Sequence, residues 1–201
     1  MKTCDIALIG VGGQGVVTLG DLITRAALAA DVPVSYVPTK GMAQRGGFVK
    51  VEIRLGRDAA GPRVAEHSAD LVMSMERSEA LKGKALIHPE GQFVLYDHVW
   101  EPTGVMLGED DYPSQASVLA VLSDVARDVL ILNPHDRPMF DDRRVSANVF
   151  TLGAMFSTHV LRELIDVETI ESVLLNRWPK SAGSNGCAFR AGLKYGENEE
   201  T

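Results

Sequence analysis

Ile9-Gly10-Val11-Gly12-Gly13-Gln14-Gly15-Val16-Val17 is the stretch on which the reading of the whole chain turns. An apolar run, Ile6-Ala7-Leu8-Ile9, leads into the glycines. Val16, Leu19, Ile23, Ala27 and Ala30 leave them at helical spacing. A strand that stops at a glycine loop and restarts as a helix brings backbone close to a guest or to a neighbouring segment. The helix N-terminus presents unpaired N–H groups and partial positive charge, so the usual guest is an anion such as a phosphate. Gly10, Gly12 and Gly15 satisfy G-x-G-x-x-G in that setting. The other half of a dinucleotide fingerprint is missing. An acid about 20 residues on should hold the ribose, and the sequence there reads Ser35-Tyr36-Val37-Pro38-Thr39-Lys40. No Gly-Lys-Ser/Thr follows, so the loop is not a Walker-type phosphate loop either. Two readings stay open: a tight turn that lets the helix pack on the sheet, or one wall of a pocket or subunit contact.

Working outward, Asp31-Val32-Pro33 breaks the first helix and residues 34–37 read as a second strand. Pro38 is expected to open a loop holding Gly41-Met42-Ala43-Gln44-Arg45-Gly46-Gly47. If both flanking strands share one sheet, the two glycine loops crowd the same carboxyl edge, where open α/β sheets bind ligands. Arg45 could then clamp a carboxylate or phosphate in bidentate fashion, or be a solvated turn residue. Val49, Val51, Ile53 and Leu55 alternate with Lys50, Glu52 and Arg54, the pattern of a strand with one wet face. Residues 71–75 and 92–96 read as buried strands, residues 103–107 as a further one, and residues 129–132 as the last. Residues 76–84 and 114–127 read as helices, and residues 134–144 as a charged loop. Ser146 is expected to cap a long helix carrying Val149, Leu152, Phe156, Val160 and Leu164. Asp166 is expected to cap the next helix, and a final one precedes a frayed acidic tail. The alternation predicts an α/β fold: an open, mostly parallel, Rossmann-like sheet with helices on both faces and a helical C-terminal end. Residues 1–196 read as a single domain and 197–201 as the tail.

The chain of 201 residues carries 27 acidic and 20 basic side chains, a net charge of −7. That balance speaks against nucleic acid as a partner. Cys4 and Cys187 are the two cysteines and form no C-x-x-C pair, which argues against a disulfide framework, a zinc ribbon or an iron–sulfur cluster held by this chain alone. The five histidines show no metal-ligand spacing. With no signal peptide and no apolar run near the roughly 18 residues of a membrane helix, the expectation is a soluble cytoplasmic protein. Asp97-His98 invites a catalytic reading but lacks a Ser or Cys elbow, so a polar pair at a strand end is the simpler account. Gly153, Ser157, Ala147, Ala154 and Thr158 give the helix after Ser146 small faces that admit a close neighbour, either its own sheet or another subunit.

Taken in order, Gly12-Gly13-Gln14-Gly15-Val16, then Gly41-Met42-Ala43-Gln44-Arg45-Gly46-Gly47, then Val49-Lys50-Val51-Glu52-Ile53-Arg54-Leu55-Gly56 resemble the gamma subunit or domain of the 2-oxoacid:ferredoxin oxidoreductases. Ala69-Asp70, Asn148-Val149-Phe150-Thr151-Leu152-Gly153 and the spacing of Asn185, Ala188 and Gly192 continue the match. The wording of the second loop is most similar to the indolepyruvate branch, its beta subunit. The resemblance implies oxidative decarboxylation of a 2-oxo acid, aryl in that branch as in indolepyruvate or phenylglyoxylate. Coenzyme A, an acyl-CoA product and electron transfer to ferredoxin, or to NAD through a flavin subunit, belong to the same implication. It implies that thiamine diphosphate and the iron–sulfur clusters sit in partner subunits, that this chain alone is inactive, and that it holds no catalytic residue. The site residues it suggests are Gly10, Gly12, Gly13, Gln14, Gly15, Gly41, Met42, Gln44, Arg45 and Gly46, facing coenzyme A or a companion subunit. The rivals are a free-standing NAD(P)-dependent dehydrogenase and a purely structural adaptor.

Overall fold

The computed structural model describes residues 2–41, 46–56 and 61–199. Six strands, β1 (Cys4–Val11), β2 (Val34–Lys40), β3 (Phe48–Leu55), β4 (Ala69–Ser74), β5 (Ile87–Tyr96) and β6 (Asp128–Leu132), form one sheet in the order β2-β3-β1-β4-β5-β6. All eight residues of β1 are buried, as a central strand covered on both faces requires. The β1–β4, β4–β5 and β5–β6 pairs are parallel. β3 runs against both β1 and β2. The reversal follows from chain length: the connection from β2 to β3 is far shorter than the dozen or more residues that a parallel crossover needs. The sheet is therefore mostly parallel with one inverted strand.

Helices α1 (Val16–Ala29), α2 (Arg77–Gly83), α3 (Thr103–Met106), α4 (Gln115–Ser123), α5 (Ala147–Met155), α6 (His159–Arg162), α7 (Val167–Arg177) and α8 (Ala182–Glu199) complete the layers. One face of the sheet presents Ile6, Leu8, Val94 and Tyr96 to a core shared with α1, α5, α7 and α8. The other presents Ala7, Ile9, Phe93 and Leu95 to a smaller core under α2 and α4. The alternation of β1 between the two cores is the period-two pleat. Asp21 and Arg25 pair at 2.8 Å on the outer side of α1.

Several expectations need correction. Pro38 lies inside β2, opposite Val51. β2 is an edge strand, where a missing N–H that points outward breaks no ladder bond. Residues 103–107 hold the short helix α3 and its C-cap, not a strand. Glu52 is buried, 1% exposed, with an oxygen 3.3 Å from Lys50 Nζ. β3 is an interior strand, so its polar face is shielded. The charged loop folds into a 3₁₀ turn (Pro134–Asp136) and a small hairpin of β7 (Met139–Phe140) and β8 (Arg143–Arg144). The long helix after Ser146 ends at Met155. The Ser157 and Thr158 hydroxyls donate back to the Ala154 and Met155 carbonyls at 2.7 and 2.6 Å, competing with helix continuation. Ser146 occupies the N-cap position of α5, but its hydroxyl donates to Asn148 Oδ1 and no side-chain cap forms. Asp166 does cap α7, accepting the Thr169 N–H at 2.6 Å. Of the expected tail, residues 197–199 continue α8, where Glu197 pairs with Arg162 at 2.6 Å; residues 200 and 201 lie outside the described residues.

The small faces of α5, expected to admit the sheet or another subunit, instead have α8 of the same chain as their close neighbour. A Cβ on Gly153 would strike the Phe189 carbonyl, and one on Gly192 the Phe150 carbonyl. The two helices thus touch backbone to backbone.

Candidate functional site

The chain leaves β1 towards β2 and β3 on one side and returns through β4 on the other. The carboxyl ends of β1 and β4 therefore border a topological switch point, the crevice where open α/β sheets hold ligands. A cleft of about 660 Å³ opens there. Its floor is the loop after β1, one side comes from the ends of β4 and β5 (Met75, Tyr96, His98, Trp100), and the other from Arg137 and the start of α5 (Ser146, Ala147, Asn148). A larger hollow of about 730 Å³ follows β6 on the far edge of the sheet. None of the expected loop residues lines it, and we place the candidate site in the smaller cleft.

The glycines have separate tasks. Gly13 and Gly15 have φ of 104° and 84°, which side-chain-bearing residues rarely adopt. Gly10 clears space for the Gln14 amide, whose Oε1 would lie 2.7 Å from a Cβ there. That oxygen accepts the Val11 N–H at 3.0 Å, while Nε2 donates to the Met75 carbonyl at 3.0 Å and lies 3.5 Å from His98 Nδ1. Gln14 is thus a staple between the glycine loop and the end of β4. A side chain on Gly15 would collide with the Asn148 amide, so this glycine lets the N-termini of α1 and α5 converge on the cleft.

The second glycine loop joins the first, as expected of two loops at one carboxyl edge. The Gly12 N–H donates to the Gly47 carbonyl at 2.8 Å, and the Gly46 N–H donates to the Gly12 carbonyl at 3.4 Å. Gly46 has φ of 69° and sits beside the Trp100 indole, whose Nε1 would be 3.1 Å from a Cβ. Gly41 lies further out and donates its N–H to the Phe48 carbonyl at 2.9 Å. Met42, Gln44 and Arg45 lie outside the described residues. The structure therefore brings Gly10, Gly12, Gly13, Gln14, Gly15 and Gly46 to one place, and Gly41 to the base of the second loop.

Several polar groups in the cleft are held by protein partners. Arg137 Nη1 donates to the Val145 carbonyl at 2.6 Å, and its guanidinium lies 6.0 Å from the Tyr96 ring centroid. Burial pushes the Tyr96 phenol above its ordinary value, with Arg137 opposing. The Ser146 hydroxyl bonds an amide oxygen, and the His98 ring stacks on Tyr96 at 6.3 Å. Among the described residues no nucleophile–base–acid chain is assembled. Among the described residues no group of three or more His, Cys, Asp or Glu could hold a metal ion. Cys4 is buried in the core and Cys187 is on α8. These residues do not fit an iron–sulfur cluster.

Sequence reasoning missed the network that holds the β5 side of the cleft. Glu76, fully buried, caps α2 by accepting the Glu79 N–H at 2.8 Å through Oε2. Its Oε1 accepts the Trp100 N–H at 3.2 Å and the Tyr112 hydroxyl. Arg77 makes a bidentate pair with Asp97 at 2.6 and 2.8 Å, and Gln115 Nε2 donates to the same carboxylate at 2.7 Å. The hydrogen bond to Asp97 raises the Arg77 guanidinium above its ordinary range. Burial, then the bond to Glu76, raises the Tyr112 phenol strongly. Asp97 is therefore a strand-end partner that ties Arg77 and Gln115 together. The available signal was the acid at position 76, three residues before Glu79 at a strand-to-helix junction.

Comparison with known proteins adds the following. A family model described as pyruvate ferredoxin/flavodoxin oxidoreductase matches residues 5–195. The indolepyruvate oxidoreductase subunit IorB of Archaeoglobus fulgidus is 32% identical over 152 residues, 76% of this chain and 75% of that one. The subunit of the same name from Thermococcus kodakarensis is 30% identical over 195 residues, 96% of each chain. Among solved structures, the keto/oxoacid ferredoxin oxidoreductase gamma subunit of Geobacter sulfurreducens aligns with a TM-score of 0.64 at 18% identity, over 97% of this chain and 99% of that one. The 2-oxoglutarate:ferredoxin oxidoreductase of Magnetococcus marinus, with 2-oxoglutarate, coenzyme A and succinyl-CoA bound, aligns with a TM-score of 0.65 at 18% identity, over 98% of this chain and 32% of that one. At that identity the two structures attest the fold.

Proposed function

The chain belongs to the pyruvate ferredoxin/flavodoxin oxidoreductase family, and from that premise we propose that it acts as the gamma-type subunit of a multi-subunit 2-oxoacid oxidoreductase. Its substrate in this reading is an aryl 2-oxo acid such as indolepyruvate, after the relatives that match over nearly the whole chain. The assembled enzyme converts the 2-oxo acid and coenzyme A to an acyl-CoA, carbon dioxide, one proton and two electrons. The electrons pass to ferredoxin or, through a flavin subunit, to NAD. Thiamine diphosphate, bound by a companion subunit, supplies the carbanion chemistry, and clusters in companion subunits carry the electrons.

One observation carries the assignment of a supporting role. The switch-point cleft is shaped by two hydrogen-bonded glycine loops, while its Gln14, Ser146, His98 and Arg137 groups are tied to the protein itself. Such a wall positions a ligand or a neighbouring subunit; it moves no proton. The loops at Gly12 to Gly15 and Gly46 border the coenzyme A path or the companion subunit's face.

The test is reconstitution of the complex with and without this chain. The isolated chain should form no acyl-CoA, and the complex should. Gln14→Ala and Arg45→Ala in the assembled enzyme should raise the KM for coenzyme A several-fold while assembly persists. Turnover by the isolated chain would sink the proposal. Unchanged Michaelis constants with intact assembly would reduce the loops to scaffold. Saturable micromolar binding of NADH to the chain, read by nicotinamide fluorescence, would revive the dehydrogenase reading.

A further inference from the structure

Residues 97–115 leave the sheet after β5 and return as α4. Within them the chain closes on itself at one atom: Glu76 Oε1 accepts both the Trp100 N–H and the Tyr112 hydroxyl. The residues between, 101–111, make a compact projection of the omega type. The Glu109 N–H donates to the Gly104 carbonyl at 2.9 Å, closing α3 back on itself. No residue of α3 is buried. Met106 is 73% and Leu107 67% exposed, and Val99 and Trp100 at the base are also exposed. Four of the large hydrophobic side chains left in solvent thus belong to one segment.

The projection is firmly anchored although its own side chains add nothing to the core. A buried carboxylate and a nearly buried Arg77–Asp97 pair hold its base. Desolvating such charges is costly, and they give the segment one conformation rather than apolar stabilisation. A pre-formed apolar tip lowers the ordering cost of association. The tip is also of one sign. Glu101, Glu109, Asp110 and Asp111 surround it, and residues 99–114 contain no Lys or Arg. Two copies of this tip repel each other, as does an anionic lipid or nucleic acid surface.

We propose that the 101–111 projection, with Met106 and Leu107 at its tip, docks into an apolar pocket of a companion subunit whose rim carries Lys and Arg. The inference rests on the reading of the chain as one subunit of a larger oxidoreductase, and adds where the contact lies. The acidic rim steers the encounter, and the apolar tip holds it.

The experiment is capture of the companion subunits by tagged chain, co-expressed with them, with affinity read by titration. Met106→Asp/Leu107→Asp should weaken capture by about tenfold or more, while the melting temperature of the isolated chain stays within about 1 °C, since both side chains are in solvent. Glu109→Lys/Asp111→Lys should slow association and flatten its salt dependence. Leu28→Asp, at a 62% exposed position on α1, serves as the control and should capture normally. If wild type and the Met106/Leu107 variant capture equally, this inference is overturned and the subunit reading stands. If wild type captures no companion subunit, both fall. If the isolated chain forms dimers that the double variant abolishes, the occupant is a second copy and the proposal is wrong.

Discussion

The α5–α8 end and the 97–115 end of the molecule are held by opposite means. At the first, Gly153 and Gly192 bring two helix backbones into direct contact, and the enclosed surface is apolar. At the second, a chain segment with almost no buried apolar surface of its own is fixed by Glu76, Arg77 and Asp97. The first region gains from dispersion and water exclusion and tolerates no added volume. The second gains position, and tolerates volume outside but no loss of a polar partner. A surface meant to close the molecule is built the first way, and a surface meant to be presented the second.

The largest effect should come from the close-packed end. Gly192→Ala gains about 1 kcal/mol of helix propensity, but its Cβ would enter the Phe150 carbonyl oxygen. The helices must part, at a net cost of about 3 kcal/mol. Chemical denaturation would show it; a neutral or stabilising change would mean that the backbones are not in contact. Next, Arg77→Ala leaves the Asp97 carboxylate with Gln115 and without its charge partner. Partial exposure of Arg77 tempers the loss to about 2 kcal/mol. Arg77→Met/Asp97→Leu removes both charges and should recover more than half of it, because apolar replacement of an ion pair is often close to neutral. Failure to recover would assign the loss to packing rather than to the orphaned carboxylate.

The same contrast explains what the sequence disclosed. The close-packed end is half written in residue types at helical spacing: Gly153, Ala154 and Ser157 announce a close neighbour, but the pattern points to the sheet or another subunit, whereas Gly192 of α8 supplies the contact. The paired glycine loops are legible for a similar reason, since each follows a strand whose apolar run is local. The 97–115 anchor joins residues 36 positions apart at one carboxylate, and no periodicity marks such a contact. Thr103-Gly104-Val105-Met106-Leu107 reads as a strand by composition because β propensity reports burial on a pleated face, and here there is no face to pack on. The break at Ser157 and Thr158 is hidden behind an apolar pattern, Phe156, Val160 and Leu164, that continues in phase from the end of α5 past the short helix α6. Pro38 misleads only if β2 is taken for an interior strand. In each case the sequence carried the local rule, and the long-range partner decided whether it applied.

Tyr112 sharpens the contrast at a smaller scale. Tyr112→Phe removes its bond to Glu76 and should cost about 1 kcal/mol. Burial and Glu76 raise the phenol pKa, so its contribution is whole below the ordinary tyrosine value near 10 and is lost as pH rises from there towards the folded value. In the folded protein, absorbance at 295 nm should show one fewer late-ionising tyrosine in Tyr112→Phe than in the wild type, since burial also raises Tyr96 and Tyr36 and both remain. Normal titration of all tyrosines would mean that the anchor is open to water.

The smallest effect should come from a polar contact that is local and exposed, the Asp166 cap of α7. Bonds from Thr169, first its hydroxyl and then its N–H, hold the Asp166 carboxylate below its ordinary range. A depressed folded-state pKa means that the unfolded chain binds the proton more readily. The stabilisation is therefore present above the ordinary aspartate value of about 3.9 and is lost as pH falls through the folded one. Asp166→Ala should cost about 1 kcal/mol at neutral pH, whereas Asp166→Asn should cost almost nothing, since both side chains cap well. The Asn variant should also lose its share of the acid-side decline. Measuring melting temperature from pH 7 to pH 3 separates the two variants. If Asp166→Asn costs as much as Glu76→Gln at neutral pH, charge at an exposed cap would matter as much as charge in the buried anchor, and the distinction between the two ends of the molecule would collapse. The physical expectation is the reverse: water can replace a partner at Asp166, and nothing can replace one at Glu76.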